Sequence, residues 1–285
     1  MKTINAIMAG MSRAGTSFMY HNLQKHPQIF LPARKEVCFF AHNFNKGIEW
    51  YKNFFNDKKE NEIAIDICGV YFTDNEALDR LKSFEDNPKI ILCIRNPYEW
   101  IYSFYEQYSN GFNMPSFEKF ITKGCTIDRE GEKVHIDFRN EKVSKTIEAY
   151  MQTFKGRILI YDFAFFEKEP LTVLKAIENF LEVENWFNDN NFNNSKINAS
   201  GRKGSKLFDR MLQIKGVVAL ILKLFPKSLI LKLREKRELK EAKGVQKVIL
   251  KDKYSDKEQN LVKSLFENDH KYISELFKQK SIIEI

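Results

Sequence analysis

Residues 10–17 read Gly-Met-Ser-Arg-Ala-Gly-Thr-Ser, from Gly10 to Ser17. Before them lies the short apolar run Ile4-Asn5-Ala6-Ile7-Met8-Ala9, suited to a buried strand. After them, Ser17 to His26 carries Met19 and Leu23 at i,i+4 spacing, as in a helix. Strand, glycine-bounded turn and helix N-terminus together make an anion site, because backbone N–H groups converge there and the helix dipole adds positive potential. Nucleotide phosphate loops read G-x-x-x-x-G-K-[ST]. Gly10 and Gly15 keep that spacing, but Thr16 stands where the lysine belongs and Arg13 places a cation inside the loop. The expectation is a phosphate-gripping loop that does not handle ATP in the usual way.

Further apolar runs extend the pattern. Ile63–Ile67, Lys89–Ile94 and Arg157–Tyr161 read as strands, and helix-like segments follow the first, third and fourth of the four runs. Asn96-Pro97 is a helix start, with asparagine as N-cap and proline at the first helical position. Leu174, Ile177 and Leu181 recur at helical spacing, and Ser255-Asp-Lys-Glu258 is a capping-box pattern opening the run Leu261, Leu265, Phe266. This alternation predicts an α/β, P-loop-containing nucleotide-binding fold: a parallel central sheet flanked by helices, with a helical C-terminal part. One domain over 1–285 is expected, with an α/β core at 4–210 and a basic helical extension at 205–285. Asn185 to Ser200 reads as a long loop.

Composition narrows the function classes. The chain has 285 residues, 43% of them hydrophobic, with 25 Phe, enough for a substantial core. Cys38, Cys68, Cys93 and Cys125 lie far apart without a C-x-x-C pair, so neither a disulfide framework nor structural zinc is expected, and reduced cytoplasmic thiols are the default. The N-terminus enters a strand almost at once, so no secretory signal is expected. Net charge is +8, and Arg202 to Lys253 alone holds sixteen Lys and Arg against five Asp and Glu. That basic segment points to an anionic partner (nucleotide phosphates, an acidic glycan or a lipid surface) or to a solvated helical face; no nucleic-acid motif accompanies it. Gly216 to Leu231 is apolar but interrupted by Lys223, Pro226 and Lys227, too broken for a spanning helix of roughly 20 apolar residues. It reads as a core-packing helix pair, with a peripheral membrane contact as the sharper alternative.

Three separated pieces point to one anionic nucleotide site: Arg13-Ala14-Gly15-Thr16-Ser17; the strand ending in Arg95, followed by a helix bearing Ser103; and the basic loop Gly201-Arg202-Lys203-Gly204. Ligands bind at the carboxyl ends of strands in open α/β sheets, and an arginine there can grip a phosphate with two parallel hydrogen bonds. In order and character the pieces resemble the sulfotransferases that use 3′-phosphoadenosine 5′-phosphosulfate, closest to the heparan-sulfate type and its bacterial relatives. The resemblance spans about residues 4–210. It implies that Arg13, Ala14, Gly15, Thr16 and Ser17 hold the 5′-phosphosulfate, that Arg95 and Ser103 hold the 3′-phosphate, and that Arg202, Lys203 and Gly204 close over it. The segment Lys35-Glu36-Val37-Cys38-Phe39-Phe40, with Gly47, Trp50 and Tyr51 after it, is similar to the family's catalytic Lys-Glu-x-His-Phe-Phe block. Tyr161-Asp162-Phe163, Pro170 and Phe180-Leu181 resemble later landmarks.

The resemblance implies an in-line sulfuryl transfer to a hydroxyl on a glycan, a glycolipid or a small molecule, with Glu36 as base beside Lys35, Arg13 on the leaving group, adenosine 3′,5′-bisphosphate as product and no metal. Glu36 also admits a plain reading, a surface carboxylate paired with Lys35 or Arg34. His42 is a second-choice base, and His26 reads as structural. Tyr161 reads as an adenine contact or a core residue. Three departures stand out: Arg13 where the family has lysine, Cys38 where it has histidine, and Ile67 where its Glu-Lys-Thr segment, here Asp66-Ile67-Cys68, has lysine. Two other function classes fit the residues: a degenerate P-loop kinase or NTPase, and a non-catalytic nucleotide-binding protein of the same fold.

Overall fold

The computed structural model describes residues 3–129, 131–194 and 250–285. The sheet carries strands β1 (Ala6–Gly10), β2 (Ile29–Phe30), β3 (Ile63–Ile67), β4 (Lys89–Ile94), β7 (Ile158–Asp162) and β8 (Ile282–Glu284) in the order β2-β3-β1-β4-β7-β8. The first five are parallel and β8 is antiparallel to β7. The four strands expected from the sequence are those at β1, β3, β4 and β7, each displaced by at most two residues at an end. Their legibility has one cause: β1 is buried at all five positions and β4 at the last five of six, as a strand covered on both faces must be.

Helices α1 (Thr16–Leu23), α2 (Ile48–Lys52), α3 (Ala77–Lys82), α4 (Pro97–Ser109), α5 (Phe117–Lys123), α6 (Lys142–Thr153), α7 (Phe163–Lys168) and α8 (Pro170–Leu181) connect the strands. Asn96 caps α4 as expected, its side chain accepting from the Tyr98 amide at 3.0 Å, with Pro97 at the first helical position. Between α5 and α6 a separate two-stranded antiparallel ribbon pairs β5 (Cys125–Arg129) with β6 (Glu132–Ile136). The sequence reading has no strands there, although Ile127 and Arg129 point inward while Thr126 and Asp128 point out, the alternation of a half-buried strand.

The C-terminal residues complete this unit. α9 (Asp256–Leu265) opens on the capping box expected at Ser255 and Glu258, and α10 (Glu267–Leu276) follows. Asp269 on α10 is fully buried and accepts from the amide and hydroxyl of Ser144 on α6, at 2.7 and 2.8 Å. His270 stacks on Tyr98 of α4, ring centroids 4.4 Å apart. The sequence reading expects only helices after Gly204, whereas β8 pairs Ile282–Glu284 with Leu159–Tyr161 and covers what would be an open edge of β7. Leu250–Ile285 thus shares one compact unit with the core up to Phe192. The third piece of the expected site, Arg202 to Gly204, and the apolar-basic run Gly216 to Leu231 lie outside the described residues. Among the described residues no helix is long and apolar enough to cross a membrane.

The sheet order also locates the site. β1 has β3 on one side and β4 on the other, and the chain leaves β1 and β4 toward opposite edges. A crevice forms outside the carboxyl ends at such a switch point, and both Gly10 and Arg95 lie there.

Candidate active site

β1 ends at Gly10 and α1 begins at Thr16, so residues 11–15 form the turn between them. Gly15 is the N-cap of α1 with φ of 84°, a left-handed conformation, and a Cβ there would stand 2.6 Å from the Phe166 ring. Arg13 adopts φ of 67°, sparsely populated for a residue with a side chain. Such a conformation persists only where the surroundings impose it. They do: the Arg95 guanidinium donates to the Arg13 carbonyl at 2.9 Å, and the Trp100 indole N–H donates to the Ser12 carbonyl at 2.8 Å.

Arg13 in turn points its side chain across to α4, where its Nε donates to the Ser103 hydroxyl at 3.1 Å. The first two pieces of the expected site therefore meet, and Arg13, Arg95 and Ser103 share one locus. Trp100 is a residue the sequence reading missed. It is fully buried and lies three positions before Ser103, on the same helix face, so the spacing held the signal. Ala14, Thr16 and Ser17 are buried as well.

Arg95 brings a largely buried guanidinium to this group. Its guanidinium lies over the Phe163 ring at 4.7 Å and near Glu99 at 3.7 Å. Its Nε is buried and has no hydrogen-bond partner. Burial lowers its pKa from the usual arginine value, while nearby Glu99 and Glu167 raise it. A guanidinium stays charged in proteins, so a buried donor nitrogen without an acceptor is a place that a phosphate oxygen fits.

The catalytic-type segment approaches the same loop from the other side. The Tyr20 hydroxyl on α1 donates to the Pro32 carbonyl at 2.7 Å, Asn43 donates to the Val37 carbonyl at 2.8 Å, and Arg80 donates to the carbonyls of Phe40 and Ala41 at 3.1 and 2.7 Å. These bonds hold Lys35–Ala41 in a loop where Glu36 and Cys38 both have left-handed φ, 60° and 54°. Lys35 reaches the phosphate loop: its ammonium donates to the Ser17 hydroxyl at 2.8 Å and lies 3.6 Å from the Glu36 carboxylate. The Lys35 side chain is 9% exposed and that of Glu36 38%. The ion pair of the plain reading is present, and it sits against the first turn of α1.

Behind the segment, Asp66 on β3 is fully buried and accepts from the hydroxyls of Tyr51 and Tyr71, at 2.9 and 2.7 Å. Its other carboxylate oxygen has no partner. Burial, partly offset by these two bonds, pushes its pKa up to about 6. Ile67 is buried and apolar, so no cation stands at that position. Cys68 contacts Cys38, the sulfurs 2.9 Å apart. The next residue, Gly69, packs on the phosphate loop itself: a Cβ there would be 2.8 Å from the Ser12 backbone.

The remaining assignments resolve simply. His26 accepts the Gln28 amide on Nδ1 and donates from Nε2 to the Glu184 carbonyl, with Glu178 3.4 Å away, a structural role as expected. Tyr161 is fully buried with its ring against Phe166, which is the core reading. His42 lines a cavity of about 340 Å³ that Ala41 also borders, together with Asp74, Glu76, Arg80, Glu132 and His135.

Comparison with known proteins identifies a family over most of the chain. The family profile described as Sulfotransferase domain matches residues 4–208. The chain is 25% identical over 192 residues to mouse heparan sulfate glucosamine 3-O-sulfotransferase 3A1, covering 66% of this chain and 48% of that protein. It is 26% identical over 184 residues to human heparan sulfate glucosamine 3-O-sulfotransferase 5, covering 62% of this chain and 53% of the relative. The chain thus spans about half the length of these curated relatives. A crystal structure of a sulfotransferase from Alicyclobacillus acidocaldarius superposes with a TM-score of 0.52 at 16% identity, covering 76% of this chain and 93% of that one, a likeness of fold.

Proposed function

The chain belongs to the sulfotransferase domain family, and on that premise we propose that it moves the sulfuryl group of 3′-phosphoadenosine 5′-phosphosulfate to a hydroxyl acceptor. The observation that carries this reading is the convergence of Arg13, Arg95 and Ser103 beside the N-terminus of α1, with an unpartnered buried nitrogen on Arg95. When bound, the nucleotide supplies the sulfuryl group and a phosphate leaving group. The 5′ side is assigned to Arg13 and the backbone N–H groups of Gly15 to Ser17. The 3′-phosphate is assigned to Arg95 and Ser103, with Arg202, Lys203 and Gly204 as further contacts.

Lys35 takes a larger part than the sequence reading gave it. Thr16 leaves the phosphate loop without the lysine of ATP-type loops, and Ile67 leaves β3 without another. The Lys35 ammonium, 2.8 Å from Ser17, supplies positive charge beside the first turn of α1. Preorganised donors of this kind are worth on the order of 3 kcal/mol each where charge develops on a leaving oxygen. Glu36, half-exposed beside Lys35, is assigned the acceptor's hydroxyl proton. A positioned base contributes roughly 10²–10⁴-fold. The cavity past Ala41 is assigned to the acceptor side; its lining mixes both charge signs, which suits a polar acceptor bearing hydroxyls. An acidic-glycan or lipid-linked acceptor, and contact with a membrane surface, rest on the basic stretch outside the described residues.

The test is direct. Purified protein incubated with 3′-phosphoadenosine 5′-phosphosulfate and a panel of hydroxylated glycans, glycolipids and small alcohols should release adenosine 3′,5′-bisphosphate in step with a sulfated product. Tight nucleotide binding with no transfer to any acceptor would favour the non-catalytic reading.

A further inference from the structure

Cys38 stands at one departure from the pattern the chain resembles, Cys68 directly follows another at Ile67, and the two thiols face each other. Cys38 lies two residues after Glu36, on the loop with left-handed φ at both positions. Cys68 directly follows β3, its amide donating to the Met8 carbonyl at 3.0 Å, and Gly69 after it packs on Ser12 of the phosphate loop. The two thiols are free, buried, and 2.9 Å apart between sulfurs. A disulfide bond requires about 2.05 Å between sulfurs, so the gap between them must shorten by less than about 1 Å.

We propose that Cys38 and Cys68 form a reversible disulfide, a redox-sensitive clasp that ties the Glu36 loop to the end of β3. The oxidant is a low-molecular-weight disulfide. Cys38, 5% exposed against 0% for Cys68, is the entry point. Its thiol loses a proton and attacks the oxidant, forming a mixed disulfide and releasing one small thiol. Cys68 then loses its proton and attacks the Cys38 sulfur, expelling the second small thiol. Two electrons and two protons pass from the protein pair to the oxidant, which leaves as two thiols; an added dithiol reverses the exchange. Burial pushes the Cys68 thiol up, which slows the closing step, while contact between the sulfurs favours it through high effective concentration. The bond would join the loop bearing the assigned base to the strand end that abuts the phosphate loop. Neither the bond nor its readout depends on which group the site transfers.

The reduced 285-residue chain is incubated with glutathione disulfide, denatured, alkylated and mapped by mass spectrometry. Two of the four cysteines should escape alkylation, and the peptide containing Cys38 should be joined to the peptide containing Cys68, with dithiothreitol restoring all four. C93S and C125S should form the same link, whereas C38S and C68S should not. Trypsin cleavage of the native protein after Arg34 and Lys35 should slow about tenfold on oxidation and recover on reduction, since a clasped loop opens less often. Four alkylatable cysteines in the oxidised wild type, or a link to Cys93 or Cys125, would overturn the pairing. A Cys38–Cys68 link that leaves cleavage unchanged would overturn the clasp.

Discussion

The ammonium of Lys35 lies 2.8 Å from the Ser17 hydroxyl and 3.6 Å from the Glu36 carboxylate, so one side chain joins the phosphate loop to the loop carrying the assigned base. In sequence these residues are 18 positions apart. In the fold, the bond links the loop assigned to a phosphate with the residue assigned the acceptor's proton. It also places an ammonium beside a loop that has threonine at position 16.

Lys35→Met should therefore lower both nucleotide affinity and turnover, because one ammonium serves both. The shape of the side chain is largely kept, so stability should change little. Equilibrium binding of adenosine 3′,5′-bisphosphate and the transfer rate, measured on the same preparation, check this. A loss in turnover alone would confine Lys35 to the chemistry.

Glu36→Gln should separate the two functions in the opposite sense. Transfer should fall roughly 10²–10⁴-fold, the contribution of a positioned base. Affinity for the bisphosphate should be nearly unchanged, because glutamine keeps the bulk beside Lys35. Wild-type turnover in this variant would return Glu36 to the role of a surface ion-pair partner.

Gly69→Ala tests the contact that sets the height of the phosphate loop. The added methyl would sit 2.8 Å from the Ser12 Cα and amide nitrogen, and backbone cannot turn aside as a side-chain tip can. The loop must shift, so bisphosphate affinity should drop by at least about tenfold, the cost of roughly 1.4 kcal/mol of misplaced donors. Calorimetric titration of the folded variant reads it. Unchanged affinity would show that the loop is held by Arg95 and Trp100 alone.

Asp66 sets a pH dependence of stability. Its carboxyl titrates near 6 in the fold against 3.8 for an unburied aspartate. Between those values the native state binds more protons than the unfolded chain, so stability is greatest below the window and declines as pH rises through it. The size is on the order of 3 kcal/mol. Asp66→Asn should flatten this decline in urea midpoints measured from pH 4 to about 7. Parallel curves for the two proteins would remove Asp66 as the cause.

Much of this architecture was legible because local chemistry determines it. β1, β3, β4 and β7 show as apolar runs since each lies inside the sheet, and Asn96-Pro97 and Ser255–Glu258 announce helix starts through their own capping bonds. What stayed hidden depends on distant partners. β8 is three residues long and exists by pairing with β7, more than a hundred positions earlier. In the β5–β6 ribbon only β5 alternates cleanly, over five residues, a weaker signal than a continuous run. Within the candidate site, motif order singled out Arg13, Arg95 and Ser103, which the fold brings together. The meeting of Lys35 with Ser17, of Cys38 with Cys68, and of Asp66 with two tyrosines followed only from the folded chain.

The central claim is that Arg13, Arg95 and Ser103 form a magnesium-independent seat for a doubly phosphorylated adenosine. A thermal-shift titration of the wild type and Arg95→Ala with adenosine 3′,5′-bisphosphate, without added magnesium, tests it most directly. At about 100 times the dissociation constant, the ligand should stabilise the wild type by roughly 2.7 kcal/mol, and Arg95→Ala should lose most of that gain. An equal shift in both proteins, or a larger one with magnesium-ATP, would contradict it.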